Sequence, residues 1–93
     1  MKRRVAVTGL GVVSPVGIGL KTFWSNLVAG KSGITNITSF DTTDFPIKIA
    51  GEVKDFNASD FIADRKAVRH MDRDSQFALA AAIMAAEDSG LDI

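Results

Sequence analysis

The pattern of apolar and polar positions predicts a strand and then a helix in the first third of the chain. The run from Val5 to Val13 is rich in β-branched residues and glycine, which predicts a central strand buried on both faces that ends in a turn at Pro15. An apolar stripe at helical spacing follows and stops at Gly30, a residue suited to the left-handed conformation that closes helices. The members of this stripe, all predicted to face the core, are Leu20, Phe23, Trp24, Leu27 and Val28.

The middle of the chain has weaker patterns. The segment from Ser32 to Pro46 is rich in Thr, Asp and Asn, which predicts a long surface connection without regular elements. Apolar residues then alternate with charged ones from Ile47 to Val53, which predicts a half-exposed edge strand. Asn57 has a side chain suited to an N-cap and predicts a short helix just before a basic segment.

The clearest helix is predicted from Arg73 to Ser89. Asp72 suits its N-cap, and Gly90 follows as a stop signal. The run from Phe77 to Ala86 is apolar without interruption and rich in alanine, so other elements can approach it closely from several sides. This helix is therefore predicted to lie inside a layered α/β fold.

Composition limits the chemistry that the chain can perform. The 93 residues are 46% hydrophobic and 24% charged, their charges sum to zero, and they include no cysteine and a single histidine, His70. These counts exclude a disulfide framework, a thiol nucleophile and any site that needs two histidines. Overall neutrality argues against a dedicated nucleic-acid binder, and the longest apolar run is too short to span a bilayer. We therefore expect a cytoplasmic protein with no metal, no cofactor, and no membrane or nucleic-acid partner.

Two glycine motifs match known ligand sites only in part. The run from Gly9 to Ser14 resembles a dinucleotide fingerprint, but serine replaces the third glycine and Pro15 stands where the helix should begin. Gly30-Lys31-Ser32 lacks the earlier glycine of a phosphate-binding loop. A buried strand with a tight exit accounts for the first motif better than nucleotide binding does.

One basic cluster is a candidate binding surface. A helix or turn would place Lys66, Arg69 and His70 on one side, with Arg65 and Arg73 nearby in the sequence. Such a group suits a phosphate or carboxylate partner. A merely solvated face accounts for the same residues equally well, so both interpretations stay open at this point.

Taken in order, the segments resemble a known enzyme family. The runs VTGLGVVSPVG, TFWSNLVAGKSGI, FDTTDFPIKIAGEVKDF and RKAVRHMDR are followed by the alanine-rich helix and EDSGL. This combination resembles the N-terminal part of the beta-ketoacyl-acyl carrier protein synthases, specifically the elongating type II condensing enzymes of fatty-acid synthesis. The resemblance covers essentially all 93 residues, and the polyketide ketosynthases share much of it.

The resemblance implies a fold and a reaction. Family members have a thiolase-like fold of layered αβαβα architecture and are usually homodimers, so residues 1–93 would be the N-terminal portion of one synthase domain. They transfer an acyl group to a cysteine and then condense it with malonyl-carrier by decarboxylation, supported by two histidines and a lysine. All of these catalytic residues come later in the family's sequences, so the chain alone is expected to be inactive.

The resemblance also implies a partner for the basic cluster. The elongating enzymes bind the acidic helix of acyl carrier protein with a basic patch that matches Lys66, Arg69 and His70. Two departures are visible, since His70 stands where lysine or arginine is usual and Asp74 stands where an aromatic or apolar residue is common. The alternative functions are a non-catalytic docking or assembly piece and, with weaker support, a small nucleic-acid module.

Overall fold

The computed structural model describes residues 2–92, which divide into two compact units. One unit consists of residues 13–56, and the other combines residues 2–12 with 57–92. The mixed helix and strand content expected from the sequence is confirmed. In chain order the elements are β1 (Val13–Ser14), β2 (Gly17–Ile18), α1 (Leu20–Val28), β3 (Ile34–Asn36), β4 (Ile49–Gly51), a 3₁₀ turn (Ala58–Asp60), α2 (Arg65–Arg69) and α3 (Arg73–Ser89).

A tight antiparallel hairpin of β1 and β2 opens the unit of residues 13–56. The Ser14 hydroxyl donates to the Gly17 carbonyl at 3.1 Å and accepts from the Val16 and Gly17 amides, both at 3.2 Å. Asn26 of α1 donates its side-chain amide to the Val16 carbonyl at 2.6 Å. The Ser14 bonds close the turn of the hairpin, and the Asn26 bond joins α1 to that turn.

The amphipathic helix is confirmed in α1, but the core position of its stripe is wrong. Gly30 closes the helix with a φ of 74°, the left-handed conformation predicted for it. Trp24 is 61% exposed, Leu27 48% and Val28 70%. Periodicity identifies the apolar face of a helix, but it does not supply the element that covers that face. In the described part of the chain, β2 lies against Phe23 while the rest of the stripe stays in solvent.

The segment from Ser32 to Pro46 contains a strand, so the prediction of a structureless connection is wrong. β3 pairs antiparallel with β4, and Thr35 lies opposite Ala50. β4 itself confirms the edge strand predicted around Ile49. The sequence does not indicate β3, because its three residues, two of them the polar Thr35 and Asn36, are too few to show an alternating pattern.

Glu52, just after β4, fastens the end of the hairpin formed by β3 and β4. Its carboxylate accepts from the Thr38 amide at 2.9 Å, from the Ser39 amide at 3.0 Å and from both hydroxyl groups of these residues. Lys54 adds a salt bridge at 3.1 Å. These donors, the Ser39 hydroxyl foremost and the Thr38 amide next, hold the pKa of Glu52 well below its usual range.

We expect the hairpin to lose protection from hydrogen exchange in acid because of Glu52. A carboxyl group whose pKa is lower in the folded state stabilises the fold above its ordinary pKa, and this contribution disappears as the pH falls toward the lowered value. Glu52→Gln should abolish the pH dependence of the protection factors at the Thr38 and Ser39 amides, while Glu87→Gln on the exposed side of α3 should preserve it. Identical pH dependence in the wild type and Glu52→Gln would contradict this role.

In the other unit, residues 9–11 lie against α3. A Cβ on Gly9 would stand 2.3 Å from the Ala85 carbonyl oxygen, and one on Gly11 would stand 2.0 Å from that of Ala81. The amide of Leu10, between them, donates to the Asp88 carboxylate at 3.0 Å. The two glycines therefore allow the backbone of residues 9–11 to pack closely against α3. This packing explains the glycine motif without a bound nucleotide.

The doubly buried strand predicted from Val5 to Val13 is not formed by the described residues. Val5 is 92% exposed and Val7 78%, and only Val13 belongs to a strand, the two-residue β1. A strand needs a hydrogen-bonded neighbour, and no described segment pairs with residues 5–12. The apolar pattern is present, but the neighbours that would bury it are not among residues 2–92.

α3 has the predicted bounds and the predicted caps. The Asp72 carboxylate accepts from the Ser75 amide at 2.8 Å, a bond that lowers the pKa of Asp72, and Gly90 closes the helix at a φ of 69°. Ala80 is completely buried, whereas Leu79 on the same helix is 38% exposed. The layers that would cover this helix from several sides in the predicted fold are thus not formed by residues 2–92. None of the helices within residues 2–92 combines the length and apolarity needed to cross a membrane.

Candidate functional site

The basic cluster occupies one exposed face of α2. Lys66, Arg69 and His70 follow the spacing i, i+3 and i+4, and all three are exposed. Ala67 and Val68 are half-buried and point to the opposite side of the same helix. α2 is therefore a short amphipathic helix that directs its cations to solvent.

Asp64 starts α2 and holds its first turn. Its carboxylate accepts from the Lys66 amide at 3.0 Å and from the Ala67 amide at 3.2 Å. An N-cap of this kind stabilises a helix by about 1 kcal/mol, which matters for a helix of only five residues. The available signal for this cap in the sequence was the aspartate just before the cluster, which the predicted elements did not include.

Gln76 of α3 fixes the other end of α2. Its side-chain amide donates to the carbonyl of Val68 at 3.3 Å and to that of Met71 at 3.4 Å. These carbonyls lie at the helix end, where backbone acceptors lack partners within the helix. Gln76 is therefore a positioning residue for the cluster, and nothing in its sequence position distinguished it from a solvated residue of α3.

The cations of α2 have no acidic partner among residues 2–92. The salt bridge found there joins Lys54 to Glu52, in the unit of residues 13–56. Asp64 and Asp72 are the nearest acids in sequence, and each carboxylate is bound to backbone amides at a helix start. No acidic side chain of residues 2–92 thus neutralises the positive charge of this face.

Arg73 differs from the other cations of the cluster. Its guanidinium lies over the ring of Phe77, 5.0 Å from the ring centre, so it is held along α3. Asp74, which departs from the family pattern, is exposed in the first turn of α3, where a negative charge favours the helix dipole.

The chemistry available on this face is the binding of anions. His70 is the single histidine of the chain, and no nucleophile stands beside it in the sequence. Residues 2–92 contain no group of three or more histidine, aspartate or glutamate side chains that could hold a metal ion. An acidic protein surface or a phosphate is the ligand for which exposed lysine and arginine side chains are suited.

The family model and the similar curated proteins identify the same family for this chain. The family described as "Beta-ketoacyl synthase, N-terminal domain" matches residues 2–93. A 3-oxoacyl-(acyl-carrier-protein) synthase 2 of Coxiella burnetii is 51% identical over 92 residues, which are 99% of this chain. Proteins of the same name from Vibrio cholerae and Staphylococcus aureus (strain COL) are 49% and 46% identical over 99% and 98% of the chain.

The solved structures include a protein that is similar to this chain in fold and sequence. The chain superposes on the ishigamide ketosynthase/chain length factor with a TM-score of 0.90 and 42% sequence identity, over 99% of its own length and 23% of that protein's chain. The 93 residues likewise span 22% of the length of each curated relative named above. The similarity therefore covers this whole chain and the smaller part of each relative.

Proposed function

Because the chain belongs to the beta-ketoacyl synthase family, we propose that it is the N-terminal part of a condensing enzyme that elongates acyl chains in fatty-acid synthesis. The whole enzyme would join an enzyme-bound acyl group to malonyl-carrier with loss of carbon dioxide. Identity of 46 to 51% to proteins named 3-oxoacyl-(acyl-carrier-protein) synthase 2 supports this activity. The 93 residues contain no cysteine, so the acyl-accepting thiol would be supplied by residues outside them.

The proposal includes the architecture of the whole enzyme. Residues 1–93 would be the N-terminal portion of a synthase domain with a thiolase-like αβαβα fold, present as a homodimer in the cytoplasm. The TM-score of 0.90 to a ketosynthase supports this fold. The exposed apolar side chains of Val5 and Val28 are the kind of surface that the remaining layers of such a fold would cover.

The basic face of α2 is the proposed docking site for acyl carrier protein. Lys66, Arg69 and His70 are exposed, lie on one side of the helix and have no acidic partner among residues 2–92. An acidic helix on the carrier would find complementary charge there, which speeds encounter and fixes orientation. The single observation that carries this proposal is that Lys66 and Arg69 lie exposed beside His70 on a helix held at both ends, with no acidic partner among residues 2–92.

Reversing two of these charges should weaken carrier binding at least tenfold. Lys66→Glu with Arg69→Glu replaces two attractive contacts by repulsive ones, and both side chains are exposed, so the fold should be unaffected. Titration calorimetry with acyl carrier protein measures the affinity, and circular dichroism checks the fold. The matched control, Lys21→Glu with Lys31→Glu, makes the same charge change on exposed residues outside α2. Equal affinity of the two double variants would refute the docking site.

A polyketide ketosynthase is the second candidate. The similarity to the ishigamide ketosynthase/chain length factor, at 42% identity, is the observation that favours it. The two candidates differ in substrate, so the acyl chains that the full-length protein extends would distinguish them. A non-catalytic docking or assembly piece would bind carrier through α2 and extend no acyl chain at all.

A further inference from the structure

We propose that Gln76 is a positioning residue for the condensation reaction, one that sets the KM for carrier-linked substrates without contacting them. This role rests on the proposed function of the α2 face and concerns the contacts behind that face. Gln76 carries no charge, belongs to α3 and is half-buried, so it stands apart from the exposed cations. It would act by holding α2 in one direction relative to α3.

α2 needs support from other elements because it is too short to be stable alone. It has five residues, and isolated helices of fewer than about 12 residues are marginal in water. Asp64 caps its start, and the 3₁₀ turn of Ala58–Asp60 lies against it. At the other end the last carbonyl groups have no donor within the helix. The direction of this end therefore depends on a donor from elsewhere in the chain.

Gln76 supplies this donor from α3. Its side-chain amide group reaches the Val68 carbonyl at 3.3 Å and the Met71 carbonyl at 3.4 Å. The Val68 carbonyl also accepts from the Met71 amide at 3.2 Å, so the turn after α2 and the bond from α3 meet at one oxygen atom. Both Gln76 bonds are long for their type, so we expect a moderate effect rather than a complete loss when they are removed.

The connection between the two helices is also held from the side of α3. The Asp72 carboxylate accepts from the Ser75 amide at 2.8 Å, and the Asp72 carbonyl accepts from the backbone amide of Gln76 at 3.1 Å. Residues 70–72 thus lie between two bonded points. Loss of the Gln76 side chain would release the end of α2 that carries Arg69, and fixing a mobile face again on binding costs conformational entropy.

The test is a comparison of steady-state kinetics in the full-length protein with malonyl-acyl carrier protein and with malonyl-pantetheine. Gln76→Met keeps the length of the side chain and removes its donor. We expect the KM for malonyl-acyl carrier protein to rise about fivefold, the usual contribution of one hydrogen bond, while kcat stays unchanged. The KM for malonyl-pantetheine should keep its wild-type value, since this substrate has no protein surface to dock.

Two further variants complete the comparison. Gln76→Glu has the size and polarity of glutamine and also lacks the donor, so it should raise the same KM even if methionine disturbs the fold. Asn36→Leu replaces an exposed amide by an apolar side chain in β3, outside the unit that contains α2, and should leave every constant unchanged. Circular dichroism checks the helix content of each variant.

The outcomes separate the role of Gln76 from the proposed docking site. A KM that rises in both Gln76 variants for the carrier-linked substrate alone supports positioning. If both variants keep the wild-type KM while Lys66→Glu with Arg69→Glu raises it, the role of Gln76 is overturned and the docking site stands. If the charge reversal also has no effect, the docking site fails and the role of Gln76 fails with it. An equal loss of kcat with both substrates would show a general disturbance of the enzyme, which also overturns positioning.

Discussion

Replacing Gly11 by alanine should lower the free energy of unfolding by about 3 kcal/mol or more, the upper end of the usual cost of overpacking. The added Cβ would stand 2.0 Å from the Ala81 carbonyl oxygen and 2.7 Å from the Ala85 amide nitrogen. Both are backbone atoms of α3, so no side-chain rotation can relieve the clash. Residues 9–11 would have to move away from the helix, and the hydrogen bond from Leu10 to Asp88 would be lost with them.

Gly90→Ala provides the matched control for Gly11→Ala. Gly90 has a φ of 69° and open space where its Cβ would lie, so its substitution meets only the cost of a left-handed backbone, about 1 to 2 kcal/mol. Denaturant unfolding of the full-length protein measures both changes on one scale. A loss at Gly11 no larger than the loss at Gly90 would show that residues 9–11 do not pack against α3 as described.

The 93 residues expressed alone should fail to melt cooperatively and should associate. The buried apolar side chains among residues 2–92 are Phe56, Ala58, Ile62 and Ala80, a small core for this length. Large apolar side chains remain in solvent in both units, among them Val5 at 92%, Trp24 at 61% and Ile47 at 70% exposure. Exposed apolar surface on this scale promotes association between copies.

Thermal denaturation followed by circular dichroism, together with light scattering over a range of concentrations, measures this behaviour. We expect a broad or absent transition and a mass that rises with concentration. The full-length protein is the control and should melt cooperatively under the same conditions. A sharp transition from a monomer of 9.9 kDa would contradict the expectation.

Helix ends could be predicted from the sequence because their causes are local. Asp72 caps α3 by a bond to an amide three residues away, and Gly90 closes it by its own backbone conformation. Gly30 closes α1 in the same way. Each of these signals lies within one helical turn of the boundary that it determines, so no tertiary information was needed.

Burial and strand pairing could not be predicted in the same way because they depend on distant partners. The apolar pattern of Val5 to Val13 is typical of a central strand, yet no described segment pairs with residues 5–12. β3 forms because β4 lies beside it, and its own three residues gave no indication. The stripe of α1 shows the same limit, since Trp24 stands on the apolar face and still contacts solvent.

The charged residues of the candidate site could be predicted from the sequence, but the residues that hold α2 in place could not. The spacing of Lys66, Arg69 and His70 placed them on one face as soon as a helix was assumed. The hydrogen bonds from Gln76 to the end of α2 join residues five and eight positions apart through a turn, which a search for helical or strand periodicity does not detect. The carrier-binding role of the three cations remains a prediction.

The most direct test of the proposed function is to isolate the natural protein that carries these residues, determine its mass and assay it with acyl carrier protein substrates. We predict a polypeptide several times larger than 9.9 kDa that forms 3-oxoacyl-carrier from acyl and malonyl substrates with release of carbon dioxide. A stable natural product of 9.9 kDa that extends no acyl chain would contradict the condensing-enzyme proposal.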